Sequence, residues 1–216
     1  MQSTWLLERM MIWVPLVLSL SVHEWAHAWS AHRLGDDTAE KLGRLTMSPL
    51  AHIDPIGTFL LPLLGVPFGW AKPVPVNPSR FRRGVSMTTG MMITAAAGPI
   101  SNLVLAVLSA IVLGLLLRFD VVRGPNGGIG ELLIMAIQLN ISLAVFNLLP
   151  VPPLDGSRVV EGLMPYRLRP MWEQFQRFGR FALLGLVLFG GFLISGPIAH
   201  VQGVIYRIVW MIAGGA

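Results

Sequence analysis

The chain has no cysteine in its 216 residues. That excludes a thiolate metal site, a disulfide framework and a thiol nucleophile, so any bound metal must be held by His, Asp or Glu. Charge is scarce too. Asp, Glu, Lys and Arg make up 12% of residues, against about 25% in a soluble domain. Hydrophobic residues reach 54% and the mean hydropathy is +0.66, which excludes an ordinary soluble domain and indicates an integral membrane protein. There is no internal repeat, low-complexity tract or soluble domain, leaving a single domain over residues 1–216. No cleavable leader is evident. The first apolar stretch lacks a basic start and carries the motif described below, so it is expected to stay in the mature protein. The net charge of +5 does not imply nucleic acid, because basic residues of membrane proteins gather on the cytoplasmic face.

Apolar stretches of spanning length predict helices over about Trp5–Leu34, Thr88–Leu117, Glu131–Leu149 and Phe181–Ile194. A further stretch, Pro197–Ala213, follows a break at Gly196-Pro197 and could span, re-enter or lie on the surface. The expected fold is an all-α polytopic membrane bundle of about four to six helices. The segment between the first two spans, Gly35–Ser86, is different. It carries Pro49, Pro55, Pro62, Pro67, Pro73, Pro75 and Pro78 and cannot be one continuous helix. Within it, residues 69–76 (Gly-Trp-Ala-Lys-Pro-Val-Pro-Val) alternate and predict a small edge strand or hairpin.

Arg33, Lys41, Arg44, Lys72, Arg80, Arg82 and Arg83 follow the first span, and Arg158, Arg167, Arg169, Arg177 and Arg180 follow the third. The loop after the second span has only Arg118 and Arg123. This bias puts the N-terminus outside and both basic loops in the cytoplasm.

The first span contains His23-Glu24-Trp25-Ala26-His27. Ionisable groups inside a membrane helix are costly and usually functional. Residues i and i+4 share a helix face, so both imidazoles can address one ion while Glu24 reaches a water on it. This is the metalloprotease pattern of two zinc ligands and a general base. A tetrahedral zinc that keeps one place for water needs a third protein ligand. With spans one and three both running inward, Asp155 lies on a proline-rich stretch level with the motif, where broken backbone is tolerated if it lines a cavity. Asp155 could instead cap a helix over Gly156–Met164; the need for a third ligand favours the first reading.

His23-Glu24-Trp25-Ala26-His27, then Gly98-Pro99-Ile100-Ser101-Asn102, then the run from Asn147 to Gly156 (Asn-Leu-Leu-Pro-Val-Pro-Pro-Leu-Asp-Gly) together resemble the three signatures of the site-2 protease family of intramembrane zinc metalloproteases. Gly43-Arg44-Leu45, His52-Ile53-Asp54-Pro55 and Gly69 to Asn77 resemble its bacterial and archaeal branch. The resemblance covers about Ser21 to Gly156, without an inserted PDZ-like or appended CBS-like domain, so selection of substrates by such domains is not expected. It implies that His23, His27 and Asp155 bind zinc and that Glu24 is the general base. It also implies that Asn102 and Asn147 face the site and bond the substrate backbone or the developing oxyanion. Read from chemistry alone, Asn102 and Asn147 are buried amides that need partners, which other helices could supply, and Gly98-Pro99 could be a simple kink. The expected substrate is a transmembrane protein segment in the lipid bilayer of a prokaryotic cell, cut nearer the cytoplasmic side. Such a segment must unwind before attack, and the predicted edge strand near Lys72–Val76 could receive it by β-augmentation. The rival readings are a metal-ion permease and an inactive helix-binding homologue. The absence of paired repeats and the intact ligand set argue against them.

The remaining histidines read as polar contacts: His32 and His52 at the rim, His200 at an interface. Met87, Met91 and Met92 could line a lateral opening or simply fill core gaps.

Overall fold

The computed structural model describes residues 2–61, 64, 69–122 and 128–215, with side chains from Ile12 onward. Pro62, Pro67 and Arg123 lie outside the described residues. Nine α-helices follow one another among the described residues: α1 (Gln2–Arg33), α2 (Thr38–Lys41), α3 (Pro49–His52), α4 (Met87–Arg118), α5 (Gly128–Asn147), α6 (Asp155–Leu163), α7 (Arg169–Arg177), α8 (Gly179–Phe189) and α9 (Gly191–Ala213).

Among the described residues, three helices are long and apolar enough to cross a membrane: α4, α5 and α9. At 1.5 Å per residue, the 32 residues of α4 run about 48 Å, well beyond a hydrocarbon core of about 30 Å. α1 is equally long, and along its described part His23, Glu24 and His27 interrupt the apolar run. α4 is the hub, packed against α1, α5, α6 and α9. Its inner face is built from small residues and one amide at helical spacing: Ala95, Gly98, Asn102, Ala106 and Ala110. Small residues let helices approach closely where lipid supplies no hydrophobic drive. Ala106, Ala110 and Leu113 meet Ile137 and Ile141 of α5 and Ile205 and Val209 of α9 in the main core. On its outer face, Ile100, Val104, Leu108, Val112 and Leu115 form an exposed apolar stripe, which suits lipid rather than water.

The structure corrects two expectations. First, the described residues contain no strand. Residues 69–77 join no ladder, because Pro73 and Pro75 have no N–H to donate to one. Second, the break before the last helix falls at Gly190, not Gly196-Pro197. Pro197 lies within α9, near enough to its start that few backbone bonds are lost. α4 continues through Pro99 as one helix.

The stretch between α1 and α4 folds back along α1. Trp13 of α1 donates its indole N–H to the Thr58 carbonyl (3.0 Å) and stacks edge-on against Phe59. Pro55–Leu60 form a widened helical turn capped by Asp54, whose carboxylate accepts from the Ile56 and Gly57 amides. The chain then returns as the extended residues 69–77 and is tied to the end of α1 where the Arg82 amide donates to the Leu34 carbonyl (2.8 Å). Gly35 makes that tie possible: its φ is +107°, and a Cβ there would lie 2.8 Å from the Arg82 nitrogen.

Candidate metal centre

Leu16, Leu20, His23 and His27 follow one another at steps of four, three and four along the buried face of α1, so the packing stripe leads directly into the two imidazoles. Their Nε2 atoms lie 3.0 Å apart. Asp155 opens α6, where Leu154 is the capping residue and Asp155 caps nothing. Its Oδ2 lies 3.2 Å from His23 Nε2 and 3.4 Å from His27 Nε2. Gly98 of α4 forms the floor beneath both rings; a Cβ there would come within 2.5 Å of His27 and 2.6 Å of His23.

The outer nitrogens define the chemistry. His27 Nδ1 lies 2.7 Å from the Thr94 carbonyl, which can only accept, so Nδ1 carries the proton. His23 Nδ1 lies 2.6 Å from Asn102 Oδ1, because the Asn102 Nδ2 is turned toward the Ser19 carbonyl (3.3 Å) and Asn140 Oδ1 (2.8 Å). A neutral imidazole held this way aims a bare Nε2 inward. Asp155 Oδ2 is buried with no hydrogen-bond partner. With both rings in that form, three electron-pair donors converge, which suits a divalent cation bound by two nitrogens and one oxygen. That is zinc's ligand chemistry.

Glu24 accepts a hydrogen bond from the Val74 amide (2.8 Å). Further polar side chains hold the same extended segment. The Lys72 amide donates to the His52 carbonyl (2.9 Å) and Thr58 Oγ1 to the Trp70 carbonyl (2.7 Å). Buried Arg44 donates to the Lys72 carbonyl (2.5 Å), and fully buried Asp36 accepts from the Asn77 amide (2.6 Å). His23, Glu24, His27 and Asp155 line a cavity of about 1230 Å³, walled by Trp70 and Val74.

The structure brings His23, Glu24, His27 and Asp155 together and adds Asn147, which lines the same cavity and donates to its own helix at Leu143 (3.0 Å). Asn102 is placed otherwise: fully buried behind His23, it is not among the cavity-lining residues. His52 sits deeper than a rim contact, 1% exposed, its Nε2 donating to the Thr46 carbonyl (2.8 Å). His32 lies 3.5 Å from Glu40, and His200 is exposed on α9. Met91 lines the cavity, whereas Met92 packs against Gly162. Sequence reading passed over Asn140 and Gly98's contact with the rings. Asn140 stands seven residues before Asn147, on the same helix face, and that spacing was the available signal.

Residues 123–190 match peptidase family M50. YwhC of Bacillus subtilis, which bears a zinc metalloprotease name, is 41% identical over 178 residues, covering 82% of this chain and 78% of YwhC. The chain belongs to peptidase family M50, the site-2 proteases. It is a membrane zinc metalloprotease. Rip2 of Mycolicibacterium smegmatis, also named as a zinc metalloprotease, is 35% identical over 145 residues, 67% of this chain and 54% of Rip2. Rip2 of Mycobacterium tuberculosis is 32% identical over the same shares. The chain thus spans about half the length of the Rip2 proteins. No solved structure matches it.

Proposed function

We propose that the chain hydrolyses peptide bonds within or near the membrane-spanning segments of single-span proteins, and that the products are released as part of regulated intramembrane proteolysis. The observation that carries this reading is the convergence of His23, His27 and Asp155 beside Glu24 in a cavity walled by the bundle's own helices.

In this reading His23, His27 and Asp155 hold zinc. When bound, zinc supplies Lewis-acid chemistry, activating water and polarising a carbonyl. Glu24 takes the proton of the attacking water and delivers it to the leaving amide nitrogen. The Val74 N–H holds the Glu24 carboxylate in place between turnovers. Asn147 offers its amide to the substrate backbone, while Asn102 acts through His23. An unwound substrate lies beside residues 70–76, whose Trp70, Pro73, Val74 and Val76 line one wall. The basic loops place this chemistry nearer the cytoplasmic side.

The test is incubation of the purified chain with a panel of single-span segments. Zinc-dependent, chelator-sensitive cleavage at a bond in or beside the span supports the reading. Capture of the segments without cleavage by zinc-loaded protein removes it and leaves a helix-binding role.

A further inference from the structure

The amide of Asn140 takes part in no step described above, yet it is 2% exposed at the heart of the bundle. Its Nδ2 donates to the Ala136 carbonyl one turn back (2.8 Å). A carbonyl cannot donate, so this contact fixes which way the Asn140 amide faces and leaves Oδ1 pointing at α4. There Oδ1 accepts from Asn102 Nδ2 at 2.8 Å, the shorter of the two bonds that Nδ2 makes. The Asn102 Oδ1 is thereby turned to His23 Nδ1 at 2.6 Å. The donors all run one way, from His23 through Asn102 and Asn140 to a backbone oxygen. His27 reaches a backbone oxygen directly, at Thr94. Both rings are thus locked in the same tautomer, one by a single contact and the other through two side-chain amides.

We infer that Asn140 is a positioning residue for the metal ligand His23: it sets the direction of the Asn102 amide, and through it keeps the proton of His23 on Nδ1 and the lone pair of Nε2 on the ion. The inference rests on the zinc reading of His23, His27 and Asp155. Without the Asn140 acceptor, Asn102 is held only by the longer Ser19 contact and can turn its NH₂ group toward His23. The imidazole would then shift its proton to Nε2, the atom that must coordinate.

The test uses the purified full chain and Zn²⁺ itself, with affinity read by competition against a chromogenic chelator. Asn140→Leu removes the acceptor at similar volume and is expected to weaken zinc binding about 10–100-fold. Asn102→Asp presents an acceptor oxygen to His23 whichever way it turns. On that background Asn140→Leu is expected to change zinc affinity little. A packing role for Asn140 would give equal losses on both backgrounds and overturn the inference. Asn140→Asp, which keeps an acceptor facing Asn102, is expected to retain most of the affinity; loss as large as in Asn140→Leu also overturns it. Imidazole ¹⁵N spectra of the zinc-free chain give an independent reading. Nδ1–H at His23 is expected in the unmutated chain and mixed tautomers in Asn140→Leu, whereas identical spectra contradict the relay. If the unmutated chain binds no zinc, or binds it equally well in Asp155→Ala, the zinc reading itself falls and the inference with it. Normal zinc in the unmutated chain with normal zinc in Asn140→Leu removes the inference alone.

Discussion

Two protonated outer nitrogens are what turn His23 and His27 from a contact into a site. With Nδ1 of each committed to an acceptor, the two Nε2 atoms and the Asp155 carboxylate face one another in an arrangement that suits a metal cation. The i, i+4 spacing of the two rings was legible in the sequence because helix geometry alone puts them on one face. Asp155 was legible through its depth. Asn102 was half legible: an amide in an apolar helix announces that it has a partner, but not that the partner is His23. Replacing Glu24 by Gln keeps the shape and the Val74 contact but removes the base. Turnover is expected to fall by about 10²–10⁴-fold with zinc content unchanged. Cleavage persisting at the normal rate in that variant would take Glu24 out of the proton path. Gly98→Ala should be harmless to the helix, since Ala is the better helix former by about 1 kcal/mol. The added methyl nevertheless collides with both imidazoles, so metal analysis is expected to find the zinc lost. Full zinc occupancy in Gly98→Ala would mean that α4 can move away from the rings.

At the scale of elements, the extended residues 69–77 were the least legible part of the chain. Alternation suggested a strand, but pairing depends on donors that Pro73 and Pro75 lack. What replaces a ladder is a set of distant side chains, Arg44, Glu24 and Asp36, which no local pattern connects. Each satisfies backbone groups packed alongside α1. Removing one leaves part-buried backbone groups without that partner. Asp36→Ala and Arg44→Leu are each expected to cost about 1–3 kcal/mol, read as a lower unfolding temperature in detergent and faster proteolysis between Ala71 and Asn77. Unchanged melting and unchanged cutting would show that the segment holds itself. The misplaced break at Gly196-Pro197 has a similar origin. Proline signals a helix end in water, whereas near the start of a membrane helix it forfeits little.

For the whole molecule, composition alone established an apolar bundle, and the structure supplies the reason that the bundle can be both lipid-facing outside and polar within. α4 turns Ile100, Val104 and Leu108 outward and reserves its inner face for Gly98 and Asn102. Partition of the functional side chains among α1, α4, α5 and α6 makes the centre a property of the assembled bundle. Chelation of the purified protein is therefore expected to stop cleavage reversibly, with activity returning when Zn²⁺ is added back; activity indifferent to chelator would contradict a zinc enzyme. The most direct test of the central claim is X-ray absorption at the zinc edge on the purified chain. One zinc per chain is expected, with two imidazole nitrogens at about 2.0–2.1 Å and carboxylate oxygen at about 2.0–2.2 Å, and with the metal lost in Asp155→Ala. A zinc shell that is unchanged in Asp155→Ala, or a cleaving enzyme that holds no zinc, would contradict the convergence of His23, His27 and Asp155 on one catalytic ion.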